Sequence, residues 1–121
     1  MPQPVVHFEI LGQDARTLRS YYGDLFGWEF SAAGPMDYAL TDPGRSAAGP
    51  GIPGGVGAMP EGYPGQVTIY VEVPDVEAAL ARAQTLGGRR LMGPEKVTEG
   101  VEIGQFADPE GHVIGLIKAA N

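Results

Sequence analysis

The 121-residue sequence contains no cysteine, which excludes disulfide bonds, thiolate nucleophiles and cysteine-ligated metal sites. It has no apolar run near the roughly 20 residues that span a bilayer, and no signal-peptide pattern at its N-terminus. Basic residues are few, with 8 Lys and Arg against 15 Asp and Glu, and the formal net charge is −7. Nucleic-acid-binding domains usually carry a basic patch, and none is visible. We therefore expect a cytoplasmic protein with no nucleic-acid or membrane partner.

The composition otherwise predicts one soluble globular domain over residues 1–121. Hydrophobic residues make up 43% of the chain and charged residues 19%, which is typical of such domains. This length fits a single domain with a modest core.

The two halves of the sequence resemble each other, which predicts two similar modules. The first half opens with VVHFEI, passes Asp14 and reaches LFGWEF, whereas the second opens with VTIYVEV, passes Asp75 and reaches TLGGRRL. A repeat of about sixty residues, each copy reading strand, helix and strands, implies modules that cannot bury their apolar faces alone. A cleft between the modules is the expected position of a functional site.

The first strand of module one is predicted at 5–11, where the residue types suit a half-buried strand. Alternation puts His7 and Glu9 on one face and Phe8 on the other. The face that carries Phe8 is all apolar and should meet the core under a helix. His7 and Glu9 are thus expected on the opposite face, about 6–7 Å apart.

A helix should follow this strand, with Asp14 as its N-cap and Gly27 at its C-terminal end. The apolar spacing predicts a buried helical stripe of Leu18, Tyr21, Tyr22 and Leu25. Two further strands, predicted at 28–32 and 36–41, complete module one as β-α-β-β-β.

Module two repeats this order. A strand is predicted at 67–73, Pro74-Asp75 should start a helix, and Gly87-Gly88 should end it. The buried stripe of that helix is predicted to be Val76, Ala79, Leu80, Ala83 and Leu86. Three strands should follow at 89–92, 101–106 and 112–117, with a DPEG turn before the last.

The segment between the modules, residues 42–66, is dense in Gly and Pro. We expect a mobile connection with one short edge strand near 55–59, and a functional lid is the alternative. Module one then covers about 4–59 and module two about 67–119.

Three segments, HFEI…D…LRSYYGDLFGWEF, TIYVEVPDVEAALARAQTLGG and FADPEGHVIGL, resemble the vicinal-oxygen-chelate superfamily. That group includes glyoxalase I, bleomycin-resistance proteins, fosfomycin-resistance enzymes and extradiol dioxygenases, and the likeness points to its small bacterial glyoxalase-like members. It implies an α+β fold in which two βαβββ modules form a curved mixed sheet around a cleft, with the helices on the outer face. It also implies a homodimer, but it says little about the reaction.

Enzymes of that superfamily typically hold a divalent metal through a His on the first strand of a module and a Glu on its last strand. His7 matches the first-strand position in module one, whereas Thr68 stands there in module two. Gly115 stands at the last-strand position of module two, and residues 54–59 of module one contain no carboxylate. A catalytic metal usually has about three protein ligands. We therefore predict no resident metal and no cofactor.

The candidate catalytic residues are His7 and Glu9. An imidazole with a pKa near neutrality suits a general base, and the carboxylate could orient it or bind a cationic ligand. A hydrogen-bonded histidine and a partly solvated carboxylate without catalytic roles are the alternatives. Ligand contacts are predicted from side chains on the open strand faces and from aromatic surface, with core packing as the alternative: Trp28, Tyr38, Thr68, Tyr70, Glu72, Ile103 and Gln105.

Two classes of function stay open at this point. The first is binding of a small organic molecule without changing it, as in the bleomycin-resistance branch, and this is the function we expect. The second is a metal-independent lyase, isomerase or cyclase with His7 or Glu9 as proton shuttle and Tyr70 or Gln105 as hydrogen-bond donors. A weaker alternative is a divalent-metal-dependent lyase or dioxygenase with Glu9 or Glu72 as a non-standard ligand.

Overall fold

A computed structural model describes residues 2–119 and has the α+β architecture that the sequence predicts. The chain forms two compact units: one is His7–Val67, and the other combines the segment up to Val6 with the segment from Thr68 onward. In chain order the elements are β1 (Val5–Gly12), α1 (Ala15–Phe26), β2 (Ala39–Thr41), β3 (Arg45–Ser46), β4 (Gly49–Pro50), β5 (Gly54–Ala58), β6 (Gln66–Val73), α2 (Val76–Thr85), β7 (Arg89–Thr98), β8 (Val101–Ala107) and β9 (Val113–Lys118).

The sheet of the unit His7–Val67 has the strand order β2-β5-β1. Its middle strand, β5, is parallel to β1 and antiparallel to β2. Gly55 of this middle strand lies opposite Glu9 on one side and Leu40 on the other. We call this unit the His7 unit.

The other unit, which we call the Tyr70 unit, has the strand order β6-β9-β8-β7. Its strand β9 is parallel to β6 and antiparallel to β8, and Gly115 of β9 lies opposite Tyr70 and Gln105. In both units the last strand therefore lies between the first and third strands, so Gly55 and Gly115 occupy equivalent register positions.

Both predicted helix starts are confirmed. The Asp14 carboxylate accepts a hydrogen bond from the backbone N–H of Thr17 at 3.1 Å, and Asp75 accepts one from Ala78 at 3.0 Å. Helix α1 ends at Gly27, whose φ of 75° lies in the left-handed region that glycine adopts without strain.

The predicted helical stripes are buried only in part. A core cluster between α2 and its sheet consists of Val73, Val76, Leu80 and Leu116, and Phe106 packs against it. By contrast, exposure is high at the outer members of the two stripes: Tyr21 (60%), Leu25 (56%) and Leu86 (64%). Leu86 lies beyond the last turn of α2.

The structure corrects several predicted strands. Residues 28–32 form only an isolated bridge between Phe30 and Thr41, and 36–41 is reduced to β2 because Pro35–Asp37 forms a 3-10 turn. The connection 42–66 contains a short β3–β4 hairpin besides β5. The strand predicted near 55–59 is not an edge strand, because β5 pairs with β2 on one side and β1 on the other and is largely buried. Strand β7 continues to Thr98, beyond the predicted end. Within residues 2–119, no helix combines the length and apolarity needed to cross a bilayer.

Replacing Leu80 with Ala should lower the free energy of unfolding by about 2–5 kcal/mol, because a fully buried side chain would leave a cavity. Leu86→Ala removes the same atoms from an exposed position and should cost less than about 1 kcal/mol. Chemical denaturation of both variants measures the difference. Equal losses would contradict the packing described for α2.

Candidate functional site

The two faces of β1 have different neighbours. The Phe8 ring packs against Trp28, with centroids 5.3 Å apart, and Trp28 in turn lies 5.6 Å from Tyr22 of α1. Phe8 therefore points toward the helix. Because side chains alternate along a strand, His7 and Glu9 lie on the opposite face.

His7 is held by a tyrosine on that open face. Its Nε2 lies 2.8 Å from the Tyr38 hydroxyl, and the two rings are nearly parallel, at 23°. The imidazole is half-buried, and this burial lowers the pKa of His7 below its ordinary value. A neutral imidazole near pH 7 can exchange a proton with a ligand or hold one end of a hydrogen bond. Glu9, on the same face, is only 9% exposed.

Helix α1 positions this tyrosine through the preceding 3-10 turn. The Arg19 guanidinium donates to the Asp37 carboxylate at 2.9 Å and to the Asp37 backbone carbonyl at 2.6 Å. Asp37 has a positive φ of 51°, uncommon for a residue with a side chain, so this pairing stabilises a turn that the backbone alone disfavours. Arg19 thereby fixes the point from which Tyr38 reaches toward His7.

The Tyr70 unit contains a similar pair. The Gln105 amide donates a hydrogen bond to the Tyr70 hydroxyl oxygen at 2.9 Å. Val73 and Leu116 pack under α2, so Tyr70 and Gln105 lie on the face of the sheet away from that helix. Thr68, on the same face, is 2% exposed, and its Oγ1 is buried with no hydrogen-bond partner.

A tyrosine ring covers the equivalent glycine in each unit. A Cβ added at Gly55 would overlap the Tyr38 ring, and one added at Gly115 would overlap the Tyr70 ring. Tyr70 reaches its glycine from the first strand of its unit, whereas Tyr38 comes from the start of the third-strand segment. In both units a tyrosine ring therefore fills the space above the last strand, but the two tyrosines come from opposite sides of that strand.

A cavity of about 590 Å³ adjoins His7 within its own unit. Its lining combines acidic, hydroxyl and apolar side chains around the imidazole: Glu29, Phe30, Ser31, Leu40, Thr41, Asp42, Pro43 and Pro53, with Gly54. We call this cavity the His7 pocket. A second cavity of about 610 Å³ lies along α2 in the Tyr70 unit, and none of the predicted site residues lines it.

The structure brings only some of the predicted site residues into contact with one another. His7 meets Tyr38, and Tyr70 meets Gln105, each pair within one unit. Ile103 and Glu72 lie on the strand faces that carry Gln105 and Tyr70, as alternation predicts. The Trp28 ring packs with Phe8 and Phe26 on the helix-facing side of β1.

Sequence reasoning missed the polar residues of the His7 pocket. Glu29, Thr41 and Asp42 were not singled out, although Glu29 and Thr41 fall within the segments predicted as the second and third strands of module one. The pairing of Phe30 with Thr41 brings the two segments together. The tyrosine cover of Gly55 and Gly115 was also missed, because it depends on long-range register.

The residues present do not fit the superfamily's divalent metal. Gly115 stands where the superfamily typically has a glutamate, and Gly55 stands at the matching register position, and both are covered by tyrosine rings. Among residues 2–119, no group of three or more His, Asp or Glu side chains is placed to hold a metal ion. Three protein ligands are about what a catalytic metal requires.

The comparison with known families agrees with this architecture. The family model described as a glyoxalase-like domain matches residues 7–117. The chain therefore belongs to the glyoxalase-like domain family, within the vicinal-oxygen-chelate superfamily.

Two curated relatives are the CFP32 proteins of Mycobacterium bovis and Mycobacterium tuberculosis, whose names mark them as candidate glyoxylases. Each is 27% identical over 110 residues, which cover 88% of this chain and 42% of the relative. The chain thus spans less than half the length of the curated relatives it matches.

Several solved structures share the fold. Methylmalonyl-CoA epimerase of Streptomyces coelicolor, in complex with 2-nitronate-propionyl-CoA, has a TM-score of 0.67 at 18% identity, over 97% of each chain. The epimerase of Mycobacterium tuberculosis has a TM-score of 0.69 at 18% identity, over 97% of this chain and 88% of that one. A glyoxalase/bleomycin resistance protein/dioxygenase superfamily member from Vibrio splendidus has a TM-score of 0.64 at 19% identity, over 98% of this chain and 100% of that one. At such identities the likeness concerns the fold alone.

Replacing His7 with Gln should reduce the loss in the free energy of unfolding that occurs as pH falls below neutrality. Burial lowers the folded-state pKa of His7, so the unfolded chain takes up a proton first as pH falls. The stability contribution of the neutral imidazole is present above the ordinary pKa of 6.5 and is lost as pH drops below it toward the lowered folded-state value. Urea unfolding between about pH 5 and pH 7.5 should show a smaller loss in the variant. Parallel curves for the two proteins would refute this assignment.

Replacing Gly115 with Ala should lower the free energy of unfolding by about 1–3 kcal/mol, because the added methyl group must displace the Tyr70 ring. Gly34→Ala is the matched control, since a Cβ there would meet nothing closer than 3.9 Å. The control should change the unfolding free energy by less than about 0.5 kcal/mol. A Gly115→Ala variant as stable as the control would show that the ring does not lie over this glycine.

Proposed function

We propose that the protein binds a small organic molecule beside His7 without a resident divalent metal. The observation that carries this proposal is the tyrosine ring over the equivalent glycine of each unit. In each unit, the glycine on the last strand has no side chain that could bind a metal. The tyrosine ring fills the volume that a longer side chain at that position would need. A cytoplasmic location and a homodimer, both expected from the sequence, belong to the same proposal.

The remaining donors support an organic ligand better than a metal ion. His7 already has the Tyr38 hydroxyl at 2.8 Å from its Nε2, and Tyr70 is tied to Gln105. Groups already engaged in neutral hydrogen bonds suit the orientation of a polar organic molecule. A metal would have to displace those partners and still lack ligands.

The size and lining of the His7 pocket favour the same conclusion. Its volume of about 590 Å³ lies in the range of small-molecule sites. Apolar walls from Phe30, Leu40 and Pro43 surround a few polar groups, which is the usual make-up of such sites. Structural neighbours whose complexes contain CoA derivatives are consistent with an organic ligand.

A second candidate function is a metal-independent isomerase that moves a proton. The lowered pKa of His7 favours it, because a neutral imidazole can accept a proton near pH 7. Glu9 lies on the same strand face and would assist as the second proton-carrying group. The epimerase names of several structural neighbours make this the enzymatic reaction to test first.

Metal analysis tests the main proposal. Untagged protein, exposed to Zn²⁺, Ni²⁺, Mn²⁺ and Fe²⁺ and then desalted, should retain less than about a tenth of an equivalent of each metal per chain, because too few donors converge. About one equivalent per chain or per dimer would overturn the proposal. In that case loss of the bound metal in His7→Ala would locate the site.

An isotope experiment separates binding from catalysis. With methylmalonyl-CoA in D₂O as the probe, a protein that only binds should give no deuterium at the carbon between the two carbonyl groups. Incorporation that disappears in both His7→Ala and Glu9→Gln, with affinity retained within about tenfold, would establish the isomerase instead.

A further inference from the structure

The cavity of about 610 Å³ in the Tyr70 unit runs along α2, and we call it the α2 groove. Positions from the Asp75 cap to Leu86 line it, so it extends about 16 Å at a helical rise of about 1.5 Å per residue. Opposite the helix lie Val71 and Phe106, which are only half-buried and leave apolar surface accessible inside the groove. A long, apolar cavity of this kind suits an extended hydrocarbon chain.

Two alanines of α2 keep this groove open. Ala79 and Ala83 both line it, and the module repeat pairs them with Leu18 and Tyr22 of α1. In the His7 unit the Tyr22 ring packs against Trp28, with centroids 5.6 Å apart, and fills space beside the helix. A methyl group at the paired position leaves such space unfilled. The groove therefore results from small residues at two particular positions of α2.

The charge available at the α2 groove is positive. Arg82 lines the groove, and the helix positions three and four residues away from it carry no carboxylate. Within residues 2–119, no ion pair or side-chain hydrogen bond engages its guanidinium. The two carboxylates of the lining are occupied, since Asp75 caps α2 and Asp108 binds two backbone N–H groups and the His112 ring. An anionic group that enters the groove therefore meets a cation with no competing partner.

We propose that the α2 groove binds a small aliphatic carboxylate. Its carboxylate pairs with the Arg82 guanidinium, whose forked N–H groups match the two oxygens, and its alkyl chain lies against the two alanines and Phe106. This inference goes beyond the ligand proposed beside His7 and does not depend on it, because the two cavities lie in different units and share no lining residue. The net charge of −7 repels anions from the protein as a whole, so a preference for an anion must arise in the groove itself.

Three straight-chain probes of equal length and different charge test the inference: octanoate, 1-octanol and octylammonium. Each is titrated into ¹⁵N-labelled protein at pH 7 and constant ionic strength, and binding is followed by NMR. Octanoate should bind about three- to fivefold more tightly than octanol, as one exposed ion pair allows, and octylammonium more weakly than octanol. The amide shifts should cluster on α2 and not on the lining of the His7 pocket.

Charge variants assign the preference to the groove. Arg82→Gln should weaken octanoate binding about three- to fivefold and leave octanol binding nearly unchanged. Arg45→Gln removes the same charge from an exposed residue of the other unit, and should change octanoate affinity by less than about 1.5-fold.

Filling variants test the position of the alkyl chain. Ala83→Leu occupies the groove and should weaken octanoate and octanol at least about tenfold. Ala81→Leu adds the same atoms to an exposed residue of α2 outside the lining, and should change either affinity by less than about twofold. Arg82 and Arg45 are both exposed, so the charge variants test the inference even where Ala83→Leu fails to fold.

Four results would each overturn the inference: equal binding of the three probes or preference for octylammonium, no binding of octanoate at about 3 mM, equal losses in the two arginine variants, or shifts confined to the lining of the His7 pocket. None of them bears on the proposed function beside His7, which the metal analysis tests. The two failures are therefore distinguishable.

Discussion

The space above the last strand of each unit is the constraint on which the rest of the site depends. Gly55 and Gly115 leave that space open on their own strands, and the Tyr38 and Tyr70 rings close it. Each ring fits only because the glycine below it has no Cβ. Without the ring, the space above the glycine would be a void in a close-packed structure. Once the rings are in place, their hydroxyl groups fix the orientation of His7 and Gln105.

Local signals predicted the parts of the fold that depend on neighbouring residues. Asp14 and Asp75 cap their helices because an N-cap needs only a carboxylate within one turn of free N–H groups. The strand prediction for residues 28–41 was wrong in part because Met36 and Asp37 form a turn with positive φ values, which their residue types disfavour. A long-range contact between Arg19 and Asp37 stabilises that turn. A sequence pattern cannot show such a contact, because its partners lie 18 residues apart.

The candidate site, like the fold, could be predicted from the sequence only in part. Strand alternation was sufficient to put His7 with Glu9, and Tyr70 with Thr68, on the open faces of β1 and β6. It could not show which partner each would meet, because Tyr38 directly precedes β2 and Gln105 lies on β8, and the register of both strands is set by pairing. Trp28 differs, because its ring packs against Tyr22 of α1, so its ligand contact stays a prediction. The acidic lining of the His7 pocket arises where the Phe30–Thr41 bridge joins two segments.

The covered glycines also limit how this chain could be redesigned. A glutamate placed at Gly55 or Gly115, to supply a metal ligand on the last strand, would overlap the Tyr38 or Tyr70 ring. Each such substitution therefore needs a smaller residue in place of the tyrosine above it. A metal-binding variant of either unit requires at least this pair of changes, and no single substitution on the last strand is sufficient.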